Sequence, residues 1–216
     1  MAERTQYELM EDIGAIVNGD ASAPTLDSDE YNLFSKALNS AERKWGAVDY
    51  NWEILRDIHR TTVPQSGTSV AIPDSLIKLS GYVDIGGNYY TEIRPQDVPS
   101  QSMDSQYVVL DRRNGYMTIN PASATELSVT VPFHSKVTTL ATSTAIPLCP
   151  SEEYLVKEAS AYILFGRSDG RYVELRDDAS ELLQQMVGQE VSKLQQFDST
   201  IKTGITNKGF TLGADV

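Results

Sequence analysis

The hydrophobic period of this 216-residue chain changes twice, and this change constrains the fold more than any single motif. Apolar residues recur every three or four positions in the first part of the chain and again after residue 151. Between these parts, apolar residues alternate with polar ones or form short runs separated by turns. The first pattern is typical of amphipathic helices and the second of β-strands. Two helical ends therefore flank a strand-rich middle.

The N-terminal end of the chain predicts two helices. Thr5 and Glu8 have the spacing of a capping box, so we expect the first helix to begin there. The second helix is expected to begin at Asp27 or Ser28, where acidic residues favour a first turn. Its expected buried face consists of apolar residues three or four positions apart: Tyr31, Phe34, Leu38, Ala41 and Trp45.

The C-terminal end predicts two more helices and a tail of different character. The third helix follows Ser151 and ends at Gly166, and the fourth begins near Tyr172. From residue 196 onward the sequence contains spaced glycines and isolated apolar residues instead of a helical period. We expect residues 196–216 to form an extended arm that becomes ordered against a partner, with a disordered tail as the alternative.

The middle of the chain predicts an antiparallel sheet. A short turn near Trp52 precedes a strand that ends at Val63, and a turn at residues 65–67 is expected to form a hairpin with the next strand. Gly-Gly and Asn-Gly turns indicate two further hairpins. The remaining strands are expected at residues 68–72, 77–85, 89–93, 107–110, 116–119 and 127–131, with a short helix or loop at 94–105.

These elements together predict an α+β fold. The fold consists of a helical bundle built from the N- and C-terminal helices, a central antiparallel β-sheet module and an extended C-terminal arm. The two ends are expected to meet because amphipathic helices need an apolar partner. The predicted segments are 1–60 for the N-terminal helices, 61–150 for the β module, 151–195 for the C-terminal helices and 196–216 for the arm.

The charge of the chain argues against ordinary binding of duplex DNA. The sequence has 30 acidic and 18 basic residues, a net charge of −12, and most of the excess lies in the two ends. Duplex binding needs basic side chains that neutralise phosphates. Solubility is the simplest explanation of the acidic excess. No run approaches the roughly 20 apolar residues of a membrane span, so no membrane association is expected.

The residues that usually carry catalysis are isolated from one another. His59 and His134 lie far apart without a second metal-ligand residue at a suitable spacing. Cys149, the single cysteine, excludes an intrachain disulfide and has no base beside it in the sequence. We therefore expect no enzyme, no metal and no cofactor. The alternative is an enzyme with dispersed site residues, in which a pocket would bring His59 or His134 to a carboxylate.

Short segments in a fixed order indicate a family. A helix pattern at residues 31–39 leads to Trp45 and Trp52. Five segments follow it: 69–74 with its Pro-Asp pair, 86–93, 115–121, 127–133 and 146–150. This order resembles the head-to-tail connector proteins of tailed bacteriophages, also called adaptors, over roughly residues 27–194. Val70 stands where the family usually has a tyrosine.

The resemblance implies a structural protein of the virion. Connectors of this kind form a ring of about twelve copies beneath the portal, with the same contact repeated between neighbours. They bind the portal and a tail or nozzle protein, and genome DNA passes through the ring without specific binding. The expected location is therefore the head–tail junction of the virion, after synthesis in the host cytoplasm. Another virion ring, such as a tail terminator or a baseplate component, is the alternative.

The resemblance also suggests a use for two features of the C-terminal end. An acidic channel wall would repel DNA phosphates. We expect the channel-lining residues to be the acids of the fourth helix: Glu174, Asp177, Asp178, Glu181 and Glu190. An ordinary solvated outer face is the alternative. The apolar residues of the arm are expected to bind the portal, as in strand addition: Ile205, Phe210 and Leu212.

Overall fold

The computed structural model describes the backbone of residues 4–48, 52–101 and 105–206, with side chains over the same ranges except at Pro99 and residues 191–206. The chain divides into two compact units. Met1–Tyr50 and Thr139–Val216 form the first, here called the helical unit, and Asn51–Thr138 form the second, the sheet unit. Helices of the first and strands of the second confirm the predicted α+β class.

Four α-helices are described in the helical unit. Helix α3 packs against the other three. The third and fourth helices begin where the sequence predicts them, whereas α4 continues past residue 196, where the sequence predicts an extended arm. Residues 207–216 lie outside the described residues, so an arm there stays a prediction. The helices are α1 (Gln6–Asn18), α2 (Asp29–Gly46), α3 (Glu152–Gly166) and α4 (Tyr172–Thr206).

Local side-chain contacts explain where α1 and α2 begin. The predicted capping box is confirmed, because the Thr5 N–H donates to Glu8 Oε2 at 2.7 Å and the Glu8 N–H donates back to Thr5 Oγ1. Helix α2 is capped by Ser28, whose hydroxyl accepts the Tyr31 N–H at 3.0 Å. The predicted face of α2 is confirmed: Phe34, Leu38, Ala41 and Trp45 are buried, and Tyr31 is half-buried.

Residues 139–150, which precede α3 and are here called the return segment, are bonded to α1 and α2. The Gln6 N–H at the start of α1 donates to Ala145 O at 2.7 Å. On α2, Asn39 Oδ1 accepts the Leu140 N–H at 2.7 Å and Asn39 Nδ2 donates to Leu140 O at 3.2 Å. Both ends of the chain are therefore joined by hydrogen bonds as well as by apolar packing.

The sheet unit has eight described strands and two short 3₁₀ helices, Glu53–Leu55 and Pro95–Ser100. The predicted turn near Trp52 and the strand after it are confirmed, as are the strands on either side of Gly86-Gly87. The strands are β1 (Arg56–Val63), β2 (Ser69–Ala71), β3 (Leu76–Leu79), β4 (Val83–Ile85), β5 (Asn88–Glu92), β6 (Tyr107–Asp111), β7 (Tyr116–Asn120) and β8 (Leu127–Ser135).

The strand order of the sheet is β1-β8-β4-β5-β6-β7-β2, and β3 pairs with the end of β8 beyond β4. The predicted hairpin at residues 65–67 is wrong, because β1 pairs with β8 and β2 pairs with β7. The single strand predicted at residues 77–85 is two strands, β3 and β4. The edge strands β1 and β2 also contact each other, so the sheet is nearly closed.

The sequence predicts a purely antiparallel sheet, and this prediction is wrong because β5 and β6 pair in parallel. A parallel pair needs a long crossover rather than a two-residue turn. Residues 93–106 form that crossover and contain the 3₁₀ helix that begins at Pro95. The hairpin of β6 and β7 is antiparallel, as predicted.

The core of the sheet unit lies on one face of the strands. Along β8 the buried residues Val129, Val131 and Phe133 alternate with less buried ones, which confirms the predicted period of two. They pack with apolar residues of the other strands, among them Val83 and Met117. Both units therefore have an apolar core of their own, as a chain of this length permits.

Candidate functional site

The acidic residues of α4 do not all lie on one side of the helix. Glu174, Asp177 and Glu181 are exposed and follow each other at intervals of three and four, so they share one side, here called the acidic face. Glu190 follows Glu181 by nine positions, or about 2.5 turns at 3.6 residues per turn. The side chain of Glu190 therefore projects from the opposite side of α4 to the acidic face.

Asp178 lies beside the acidic face but is engaged with α3. Lys157 Nζ donates to Asp178 Oδ2 at 2.9 Å and also lies 3.0 Å from Glu153 Oε1. These two carboxylates, Asp178 first, raise the pKa of Lys157. Asp178 therefore links α4 to α3. No cation pairs, in the described contacts, with the other three predicted channel-lining acids on this side: Glu174, Asp177 and Glu181.

The nearest base in the α4 sequence points away from the acidic face. Arg176 follows Glu174 by two positions, which is about 200° around a helix. It lines a small hollow with Phe165 and Tyr172. The carboxylates of the acidic face can therefore repel a polyanion at short range, and salt limits this repulsion to about 8–10 Å.

The predicted portal-binding residues lie beyond the part of the chain where side chains are described. The backbone of Ile205 belongs to the last turns of α4, and Phe210 and Leu212 lie outside the described residues. The described part of the chain therefore leaves their role as a prediction.

The two histidines are placed on opposite faces of the sheet. His59 of β1 pairs with Val131, which faces the core, whereas His134 pairs with Arg56 on the other face of β8. His134 is buried, and this burial lowers its pKa, helped by the positive charges of Lys78 and Arg56. Among the described residues, no hydrogen bond or ion pair joins either histidine to a carboxylate, and the enzyme alternative stays a prediction.

Cys149 is held in the interior beside a buried carboxyl group. Glu42 Oε1 accepts the N–H groups of Leu148 and Cys149 at 2.6 and 3.2 Å. Burial raises the pKa of Glu42 and raises that of the Cys149 thiol to about 12, with the Glu42 charge adding to the thiol shift. The thiol is therefore protonated at neutral pH and is a poor nucleophile. Through these two hydrogen bonds, Glu42 holds the return segment against α2.

Sequence reasoning missed an exposed aromatic cluster at the C-terminal end of α3. The apolar period of α3 includes Tyr162 and Phe165 as apparent core residues, yet they are 50% and 62% exposed. The Phe165 ring meets the Tyr172 ring edge to face at 5.2 Å between centroids. One signal in the sequence could have indicated this surface: α3 carries apolar residues on every side, more than one buried face requires.

Sequence reasoning also missed the polar anchors of the return segment, Asn39 and Glu42. Both are buried on α2, within the same apolar face as Leu38 and Ala41. Polar residues inside an apolar stripe are the available signal, because a buried amide or carboxyl group needs hydrogen-bond partners.

Metal-ligand residues are dispersed in the described part of the chain, where no three His, Cys, Asp or Glu side chains are arranged to hold a metal ion. No described helix has the length and apolarity required to span a bilayer. Comparison with protein-family models and with curated proteins finds no match to this sequence.

Proposed function

We propose that this protein is a structural, non-enzymatic connector of a tailed bacteriophage, a ring of about twelve copies that joins the portal to the tail. The observation that carries the proposal is the acidic face of α4. Glu174, Asp177 and Glu181 are exposed there, on a long helix whose Ala179 and Met186 are buried. In a ring, every copy would repeat the three carboxylates around a channel.

Such a channel suits the passage of DNA. The duplex carries one negative charge per roughly 1.7 Å of its axis. A wall of carboxylates repels these phosphates and prevents the adhesion that lysine or arginine would cause. The net charge of −12 and the low number of bases in α4 fit this role better than a role in binding DNA.

The finer parts of the fold have roles in the same proposal. The four helices form a bundle in which α4 faces the channel, and the C-terminal arm with Phe210 and Leu212 binds the portal. The ring also contacts the tail or nozzle protein. The protein acts in the virion at the head–tail junction, in viral tail assembly and in DNA ejection.

A charge-reversal variant tests the role of the acidic face. Glu174, Asp177 and Glu181 are replaced together by lysine, whereas Asp178 is kept because it pairs with Lys157. We expect assembled particles of this variant to eject DNA more slowly or to retain part of it. The measurement is the rate of DNA release from particles after triggered ejection.

The matched control makes the same change in net charge at other exposed acids, by replacing Glu11, Glu53 and Glu126 with lysine. The control should eject DNA at the wild-type rate. Wild-type ejection by the acidic-face variant, in particles that contain it at full occupancy, would refute the channel role. Equal slowing by both variants would show that total charge matters and that this face has no special part.

A further inference from the structure

The exposed aromatic cluster at the end of α3 is an unpartnered surface. Phe165, Tyr162 and Val173 are 62%, 50% and 50% exposed, and Tyr172 supports Phe165 from the side. We call these four residues the aromatic ridge. A contiguous exposed group of large apolar side chains is typical of an interaction surface, and aromatic residues contribute more than others to such surfaces.

The helical unit also has a groove that is partly lined by apolar residues. The groove lies between α1 and α3 and has a volume of about 440 Å³. Its apolar lining residues are Ala15, Ile16 and Val156. The volume is within the roughly 300–1,000 Å³ of sites that enclose small ligands, so there is room for one or two aromatic side chains. The charged residues of the rim are Arg4, Asp12, Glu152, Glu153 and Lys157.

The ridge and the groove lie on opposite sides of α3. Val156 and Phe165 are nine positions apart, or about 2.5 turns, so they leave the helix half a turn from each other. One copy therefore cannot fill its own groove with its own ridge. Two copies that joined ridge to groove would each leave one such surface open, which is the condition for head-to-tail assembly.

The charges around the two surfaces are complementary. The rim of the groove has one carboxylate more than it has cations. Asp12 and Glu152 share Arg4, and Glu153 pairs with Lys157. Arg176 lines a hollow with Tyr162, Phe165 and Tyr172 of the ridge, and no described ion pair engages it. The two arginines between α3 and α4 are engaged within the same copy: Arg167 donates to Asn18 Oδ1 at 2.9 Å, and Arg171 pairs with Asp169 and donates to Ile16 O at 3.1 Å. Arg176 of one copy can therefore meet the excess negative charge at the rim of the next copy.

We propose that the aromatic ridge of one copy docks into the α1–α3 groove of a second copy. Phe165 would insert over Ile16 and Val156, and Arg176 would meet the negatively charged rim. The contact is heterologous, so its repetition gives a closed ring or a filament rather than a symmetric dimer. The closed form rests on the proposed function, whereas the contact itself rests on these two surfaces.

Mixed cysteine variants test the contact directly. One protein carries Phe165→Cys and a second carries Ile16→Cys, while the native Cys149 stays buried and protonated. A short bismaleimide should link the two proteins when they are mixed and should link neither protein to itself. A protein with both substitutions should give a ladder of covalent oligomers. Phe165→Cys that links to itself would indicate a symmetric contact and overturn the proposal.

A control locates the contact on the helical unit. Tyr116 of β7 is 51% exposed, so Tyr116→Cys mixed with Ile16→Cys should give no linked product. In sedimentation experiments, Phe165→Ala should raise the dissociation constant of self-association by about tenfold or more, and Tyr116→Ala should not change it. An unchanged constant for Phe165→Ala would overturn the proposal.

The same variants separate this inference from the proposed function. They are tested alone and in the presence of the portal ring of the same phage. A complex with the portal that shows no link between residues 165 and 16 would overturn the docking contact and leave the connector function intact. The linked ladder without any portal binding would support the contact and count against the connector function.

Discussion

Replacing Asn39 of α2 with alanine should lower the stability of the helical unit. Asn39 is 8% exposed and bonds both the N–H and the C=O of Leu140, at 2.7 and 3.2 Å. Its amide also donates to Ser35 O at 2.9 Å. Alanine would leave both Leu140 groups without these partners inside the protein.

The magnitude follows from the groups left unpaired. A buried backbone group that loses its partner costs about 1–3 kcal/mol. Two such groups at Leu140 are affected, and the higher helix propensity of alanine returns up to about 0.7 kcal/mol. Allowing for partial entry of water, we expect Asn39→Ala to lower the free energy of unfolding by about 2–4 kcal/mol. Asn32 lies on the same helix and is exposed, so Asn32→Ala should change it by less than about 0.5 kcal/mol.

Urea unfolding followed by circular dichroism at the helix band measures both variants. With a urea dependence of about 2 kcal/mol per molar, the middle of the usual range, Asn39→Ala should lower the midpoint by about 1–2 M. Hydrogen exchange gives a local test, because the Leu140 N–H should exchange much faster in this variant only. A midpoint equal to that of Asn32→Ala, or unchanged exchange at Leu140, would refute the reasoning.

Two further changes test the packing of the helical unit. Glu42→Gln should stabilise the helical unit at neutral pH. Burial raises the pKa of Glu42, so wild-type stability falls as the pH rises from the ordinary pKa of 4.5 through the folded pKa. Urea titrations in which the extra stability of Glu42→Gln does not shrink toward pH 4.5 would contradict this. Gly14→Ala should destabilise by about 1–3 kcal/mol, because a Cβ would lie 2.9 Å from Asp20 O. Gly188→Ala, in open space on α4, should instead stabilise by up to about 1 kcal/mol, and equal effects at both glycines would be inconsistent with the structure.

Local features of the fold could be predicted because neighbouring residues determine them. The capping box of Thr5 and Glu8 and the buried face of α2 depend only on residues within a few positions. The turn at Gly86-Gly87 could be predicted for the same reason, because a tight hairpin turn depends on its own residues. Both glycines have the positive φ that such a turn requires, 58° and 87°.

Strand partners could not be predicted, because they depend on residues far apart in the chain. A turn at residues 65–67 suggests a hairpin, yet β1 finds its partner in β8, more than 60 residues later. The parallel pair β5–β6 depends on the path of the crossover after Glu92. Hydrophobic alternation indicates that a strand has a buried face, but it does not identify the strand that pairs with it.

The candidate site likewise has features that the sequence predicts and features that depend on the packing of distant helices. The spacing of Glu174, Asp177 and Glu181 places them together on any helix, and the nine positions to Glu190 separate it. In contrast, the link between Asp178 and Lys157 depends on how α3 and α4 pack. The exposure of Phe165 depends on which side of α3 the other helices leave uncovered.

The most direct test of the connector function is native mass spectrometry of this protein mixed with the portal ring of the same phage. The proposal predicts a complex with about twelve copies of the chain on each portal ring. It also predicts that a variant lacking residues 207–216 stays folded and loses this complex. A folded protein that remains monomeric beside the portal ring would contradict the connector function.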